Sequence, residues 1–352
     1  MKSRVLSMLV LVLAGLAGPT GCGEPDGPVV VAYVSADRAV ALPVLEAFTE
    51  RTGIEVLPLF DSEATKTTGL ANRIRRERDR VRADVFWSSE PIAVEQLAAE
   101  GLLMSAGHPS LVDHPEQWRR SDDRWFAFAG RARVLVVDPS RLPVDERPTT
   151  WLDLSDPRWR DGIAMADPRF GTTRGHIGAL AIGDGIDFED WSEALARNRV
   201  RLLTGGNAAT VDAVARGEVL LGLTDSDDVI AARRRGVSVE AIVPRHLPDG
   251  VPGGGTMLVP NAAGVVTGAA NLEAANELVA FLASAEVERI LLATPSGNIP
   301  IAHPLEAGER DTVPADVIMT PDPWSYSVTE VAGAVDGAVD RFMAIVSEDA
   351  VR

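Results

Sequence analysis

From Val29 onward, short apolar runs alternate with stretches whose apolar residues recur at helical spacing, the rhythm of an α/β fold. Val29 to Val34 predicts a buried strand. Ala39 to Arg51 predicts a helix, with Pro43 in its first turn and Gly53 as its stop. Ile54 to Phe60 predicts a second strand, Thr67 to Arg80 a helix, Ala83 to Trp87 a third strand, and Pro91 to Glu100 a helix closed by Gly101. Arg133 to Val137 reads as a strand ended by Asp138-Pro139. The rhythm resumes over Ile163 to Ala166, Ala179 to Ile182, Trp191 to Asn198, Val211 to Arg216 and Val219 to Leu223. It returns a third time over Met257 to Val259, Leu272 to Leu282 and Val287 to Leu292. A strand after Gly253-Gly254-Gly255 suits a return of the chain to its first domain.

The start of the chain has another pattern. Lys2 and Arg4 precede an almost wholly apolar run from Val5 to Gly18, then Pro19-Thr20-Gly21-Cys22. A basic start, an apolar stretch of this length and small residues before a break make a secretory signal, too short to span a bilayer as a helix. Cys22 is the chain's one cysteine, so it has no disulfide partner within it. A cysteine directly after the small residues resembles the lipobox of bacterial lipoproteins, in which that thiol is acylated; Pro19 departs from the usual residue there. Gly23 to Pro28 reads as a flexible tether.

The formal charge is −17, and it becomes −19 once Lys2 and Arg4 leave with the signal. So acidic a surface repels phosphate backbones and anionic headgroups, which argues against nucleic-acid binding and against any membrane contact other than a lipid anchor. With 46% apolar residues in 352, the chain is globular and exceeds what one hydrophobic core supports.

Five segments in order resemble the extracellular solute-binding proteins of the ferric-iron type. They are Val31 to Asp37, Asp61 to Leu70, Ala83 to Glu90, Gly222 to Asp228, and Gly255 to Asn261. The resemblance implies a bilobed, type II periplasmic-binding-protein fold: two α/β lobes joined by crossing strands, with a ligand cleft between them. It also implies a monomeric receptor that delivers a small solute to the membrane permease of an ABC importer, in the periplasm or cell envelope. On this reading residues 1–22 are the signal, 23–28 the tether, 29–132 the first lobe, 133–254 the second, and 255–305 the return to the first. Residues 306–352 are a C-terminal helical segment packing on the second lobe. Arg133 to Val137 and Met257 to Val259 are the expected crossings.

Open α/β sheets bind ligands at the carboxyl ends of strands, where helix N-termini present unpaired amides. Ser35 to Asp37, Asp61 to Thr68, Ser88 to Glu90 and Thr224 to Asp228 all follow predicted strands. Lys66 is the lysine this arginine-rich chain keeps after its signal, a compact ammonium suited to a small anion or a carboxylate cluster. Phe170 to His176 sets Gly171, Thr172, Thr173 and Arg174 at a helix start, donors for an oxyanion, although a threonine there also serves as a simple helix cap. Asp225, Asp227 and Asp228 either stabilise a helix dipole or coordinate a hard cation.

Two ligand sets stay open. Asp37, Glu63, Asp225 and Asp227 offer oxygens to iron or another metal ion carried as cargo. Lys66, Thr67, Ser88, Ser89, Thr172 and Thr173, with helix N-termini, suit a small oxyanion or anionic solute; Ser35 is a further ligand-binding candidate at the first strand end, and iron bound together with an anion stays open. Donors outnumber acceptors in the most polar loops, which favours the anion. The iron-binding members carry two adjacent tyrosines where this chain has about Asp227 and Asp228, and its tyrosines are Tyr33 and Tyr326 alone. No resident cofactor is expected. A secreted hydrolase is the alternative, but the five histidines are scattered and neither His-Glu-x-x-His nor Gly-x-Ser-x-Gly occurs.

Overall fold

The computed structural model describes residues 27–61, 68–320 and 322–349. The signal, Cys22 and the segment holding Glu63, Lys66 and Thr67 lie outside the described residues. In chain order the elements are β1 (Val29–Ser35), α1 (Arg38–Thr52), β2 (Glu55–Phe60), α2 (Gly69–Arg76), β3 (Val85–Ser88), α3 (Pro91–Ala99), β4 (Leu103–Met104) and β5 (Phe126–Val137). After several single turns come β6 (Ile163–Ala166), α4 (Gly171–Ile182), α5 (Phe188–Arg197), β7 (Arg201–Leu203), α6 (Gly206–Ala215), β8 (Leu221–Asp225), α7 (Ser226–Arg234) and β9 (Glu240–Ile242). The chain closes with β10 (Leu258–Val266), α8 (Leu272–Leu282), α9 (Ala285–Ala293), the short α10 (Ala307–Arg310) and α11 (Val328–Asp349).

The strands hydrogen-bond in the order β2-β1-β3-β10-β5-β8-β6-β7, one curled path rather than two separate sheets. Within it, β1, β2 and β3 are parallel, as are β6, β7 and β8. The centre is antiparallel. Residues Phe126 to Ala132 of β5 pair with β10, and Arg133 to Val137 then pair with β8. At the junction the register slips between Pro260 and Asn261, and Ala129 takes a positive φ of 36°. A bulge of this kind bends a strand and raises its twist, so one strand serves two α/β halves that face different ways.

All twelve residues of β5 are buried, and the strand begins earlier than the apolar run at Arg133 suggests. Phe126-Ala127-Phe128-Ala129 extends it on the first side, and two arginines interrupt the apolar pattern in the middle. Helix α2 is shorter than the expected 67–80, because Glu77-Arg78-Asp79-Arg80 has no apolar residue to bury and the chain turns there. Pro43 lies one residue deeper in α1 than expected, since the helix starts at Arg38. Gly53 ends α1 in the left-handed conformation, at φ 72°, which glycine adopts at little cost.

Separate apolar clusters cover the two halves. Phe48, Trp87, Leu278 and Leu282 are among those packing one face of the first half, and Leu97, Phe86 and Trp125 the other. Trp151, Trp191, Leu195 and Phe342 pack one face of the second half, with Val134, Val214 and Val229 opposite. Helix α11 lies along α4 and α5 and also reaches α3. A Cβ at Gly178 of α4 would come within 2.9 Å of Val335, so α11 sits on α4 closer than any larger residue permits.

Candidate functional site

The carboxyl ends of β1 and β3 lie side by side, and Ser35 pairs with Ser88 across them. Both serines are wholly buried with local partners: Ser35 Oγ donates to Asp61 Oδ2 at 2.8 Å, and Ser88 Oγ accepts from the Glu90 amide at 3.2 Å. Asp37, just before α1, is exposed. Glu90 caps α3 by accepting from the amides of Ile92 at 2.8 Å and Ala93 at 3.1 Å. Burial raises its pKa above the ordinary carboxylate range, with Arg174 acting in the opposite direction.

The crossing strand supplies what joins the two sides. Arg131 and Arg133, two apart and so on one face of β5, both reach Asp225 at the end of β8. Arg131 Nε is 3.2 Å from Asp225 Oδ2 and 3.5 Å from an Asp227 oxygen, while its Nη1 donates to the Ser89 carbonyl at 2.6 Å. One guanidinium therefore ties the end of β3 to the end of β8. Burial works against its charge, but Asp227, Asp225 and Asp228 outweigh burial and raise its pKa.

Arg133 is fully enclosed, and its Nη1 donates to Asp225 Oδ1 at 2.7 Å. Asp225 Oδ2 also accepts from Thr172 Oγ1 at 2.6 Å and from Asn207 Nδ2 at 2.9 Å, and Thr173 Oγ1 donates to Asn207 Oδ1 at 3.3 Å. Both Asp225 oxygens are thus engaged from inside the protein. Burial alone would raise its pKa, yet Arg133 and Arg131 hold it below the ordinary value.

Asp227 and Asp228, in the first turn of α7, are half-buried, and with Asp225 they present oxygens all within 4.8 Å of one another. Among the described residues no other such group of three or more histidines, cysteines or carboxylates occurs, and Asp37 is not part of it. Tyrosinate ligation is unavailable. Tyr33 donates to Glu77 at 2.7 Å, and burial raises its pKa to about 12; Tyr326 donates to the Leu258 carbonyl at 2.7 Å, and burial raises it too.

A cleft of about 670 Å³ opens between the two halves, lined by none of the residues of this network. Helices α2 and α3 line one side with Thr68, Asn72, Arg75 and Gln96, and the opposite side carries Arg169, Arg174 and Asp336 of the second half. Thr68 directly follows the segment of Lys66 and Thr67. Phe170, next to Arg169, is 45% exposed, whereas Trp87 and Trp324 are core residues.

His176 and His246 are buried together, with Nε2 atoms 2.9 Å apart, between Trp151 and Trp324. Burial lowers both, His246 to about 3. They belong to the packing of the second half.

Sequence patterning thus reached the residues at strand ends and helix starts. It missed Arg131, Arg133 and Asn207 as site residues, and it reached Glu90 only as the end of a loop, not as the cap of α3. The arginines did leave a signal, since an arginine pair inside a run of strand-forming apolar residues implies buried charges that need a carboxylate.

The family model for bacterial extracellular solute-binding proteins matches residues 29–294. The major ferric iron-binding protein of Neisseria meningitidis is 28% identical over 79% of this chain and 82% of its own length. Iron-bound HitA from Pseudomonas aeruginosa superposes with a TM-score of 0.74 at 22% identity, over 91% of this chain and 99% of that one. The Trichodesmium protein IdiA (FutA), in complex with iron and citrate ligands, gives 0.73 at 22% identity, over 90% and 99%. These likenesses establish the bilobed type II periplasmic-binding-protein fold. The chain belongs to the bacterial extracellular solute-binding protein family.

Proposed function

We propose that this chain is the extracellular receptor of an ABC importer, and that it captures ferric iron as an anionic complex in the cleft between its two halves. On this reading the lobes are 29–132 with 255–305, and 133–254. The relatives named as ferric iron-binding supply the metal. The observation that supports the anionic form is the cleft wall: Arg75, Arg169 and Arg174 line it, paired in this structure with Glu100, Asp167 and Asp336, while both phenols are committed elsewhere.

A bare ferric ion next to Arg131 and Arg133 meets two fixed positive charges and no phenolate. A chelated ion divides the task. Asp227 and Asp228 approach the metal through oxygen, which suits a hard cation, and the arginines with Lys66, Thr67 and the start of α4 take the chelator's carboxylates. Ser88 accepts from the Glu90 amide, the Ser89 carbonyl accepts from Arg131, and Thr172 and Thr173 donate to Asp225 and Asn207, which positions the groups around both arms. Closure then buries the complex. No bond of the cargo need be broken, in keeping with relatives named for iron uptake and iron binding.

A small oxyanion alone is the second reading, favoured by the same arginines and by aspartates standing where phenolates would serve ferric ion. Native mass spectrometry and calorimetry with ferric citrate, citrate alone, phosphate alone and ferric ion alone separate the readings. Ferric citrate is expected to bind and to contract the protein in small-angle scattering. Asp227→Ala weakens that complex through its metal arm, and Lys66→Ala through its anionic arm, each by about tenfold or more, as for loss of one charge-assisted contact. Citrate or phosphate binding as tightly without iron moves the assignment to the oxyanion. If none of the four binds, both readings fall.

Export by the N-terminal signal and a lipid on Cys22 complete the proposal. An anchor raises the receptor's effective concentration at its permease. Mass spectrometry of the mature chain checks it: a diacylglyceryl-modified N-terminus at Cys22 is expected.

A further inference from the structure

Helix α3 is rooted in the first half and reaches into the second. Ala93, Val94, Leu97 and Ala98 pack in the first half's core with Phe86 and Trp125. Ile92 and Gln96, four residues apart and so on one helix face, meet the second half instead. Ile92 is 1% exposed and belongs to the apolar cluster of Ile177, Trp151 and Val335. A Cβ at Gly175 of α4 would lie 3.4 Å from Ile92 Cγ1. Gln96 Nε2 donates to the Ala332 carbonyl of α11 at 3.3 Å. Helices α4 and α11 are fitted to each other by the close approach at Gly178, so both surfaces that receive α3 belong to one unit.

We propose that Ile92, seated against Gly175, forms a latch that holds the two halves shut, apart from the residues that line the cleft, while Gln96 on the same helix face joins α11 from the cleft wall. The proposal rests on two-lobed closure, as in the preceding reading, and on no particular cargo. Opening about the crossing strands draws α3 away from α4 and α11, which puts Ile92 and the surface at Gly175 into water. Burial of that side chain therefore favours the closed form before any solute arrives. Apparent affinity scales with the closed fraction, so the latch sets capture strength without touching cargo.

Small-angle scattering of the purified chain, with no solute added, tests this. Ile92→Ser removes the apolar plug from one side, and Gly175→Val wedges the seam from the other. Each is expected to shift the chain to a larger radius of gyration with an unchanged far-ultraviolet dichroism spectrum. Ile182→Ser, an exposed position on the same helix as Gly175, should leave the curve as it is. The double variant should open no further than the more open single one, because both act on one contact. If one variant does not fold, the other decides. Folded variants with wild-type dimensions overturn the latch. So does failure of both to fold, since that would make the contact part of one indivisible core. Because no solute is present, the outcome stands whether or not ferric citrate binds.

Discussion

Asp225 shows how one side chain can look like a ligand in sequence and act as a keystone in the fold. Its oxygens meet Arg131, Arg133, Thr172 and Asn207, four residues from three other elements. Asp225→Asn keeps the shape and removes the charge that two buried guanidinium groups depend on. We expect a loss of about 3–5 kcal/mol in chemical denaturation, the range for breaking a buried pair. The carboxylate's pKa is held below the ordinary 3.8, so its stabilising effect is complete above that value and disappears as the pH falls through the lowered one. Thr172 and Thr173 were legible from the sequence as donors at a helix start. Their partners Asn207 and Asp225 were not readable as such, because the hydrogen bonds join residues more than thirty positions apart.

At the scale of elements, β5 carries the information the sequence pattern concealed. Its apolar run reads as one strand of five residues, and in the fold it is twelve residues serving two halves. The cause is Arg131 and Arg133. Charged side chains inside an apolar run look like a strand boundary, and only an opposing carboxylate makes them core. Helix α4 makes a second case, since it holds His176 neutral against His246 under Trp151 and Trp324. The folded pKa of His246 lies near 3, well under the ordinary 6.5. The unfolded chain therefore binds the extra proton first, and stability is fully present above about pH 6.5 and declines as the pH falls toward 3. Each such proton contributes a slope of about 1.4 kcal/mol per pH unit. Thermal midpoints across that window should fall, and His246→Phe, if it folds, should flatten the decline.

For the molecule as a whole, the C-terminal helix decides whether the second half is complete. Val331, Val335, Ala338, Val339 and Phe342 are buried, and all but Ala338 are large apolar residues worth about 1.5–3 kcal/mol each when covered. Their sum rivals the whole stability of an ordinary domain. A chain ending at residue 327 should lose cooperative unfolding in calorimetry; a sharp transition at the full-length midpoint would refute this. The sequence by itself determined the α/β class, the order of most strands and helices and the strand-end loops, because hydrophobic period and turn chemistry are local. It also determined that two tyrosines cannot make a phenolate-rich site. Only the tertiary structure decided that both phenols are committed elsewhere, that Arg131 links the end of β3 to the end of β8, and that Ile92 of α3 packs in the opposite half. Those facts rest on contacts between residues far apart in the chain, and such contacts leave no period in the sequence.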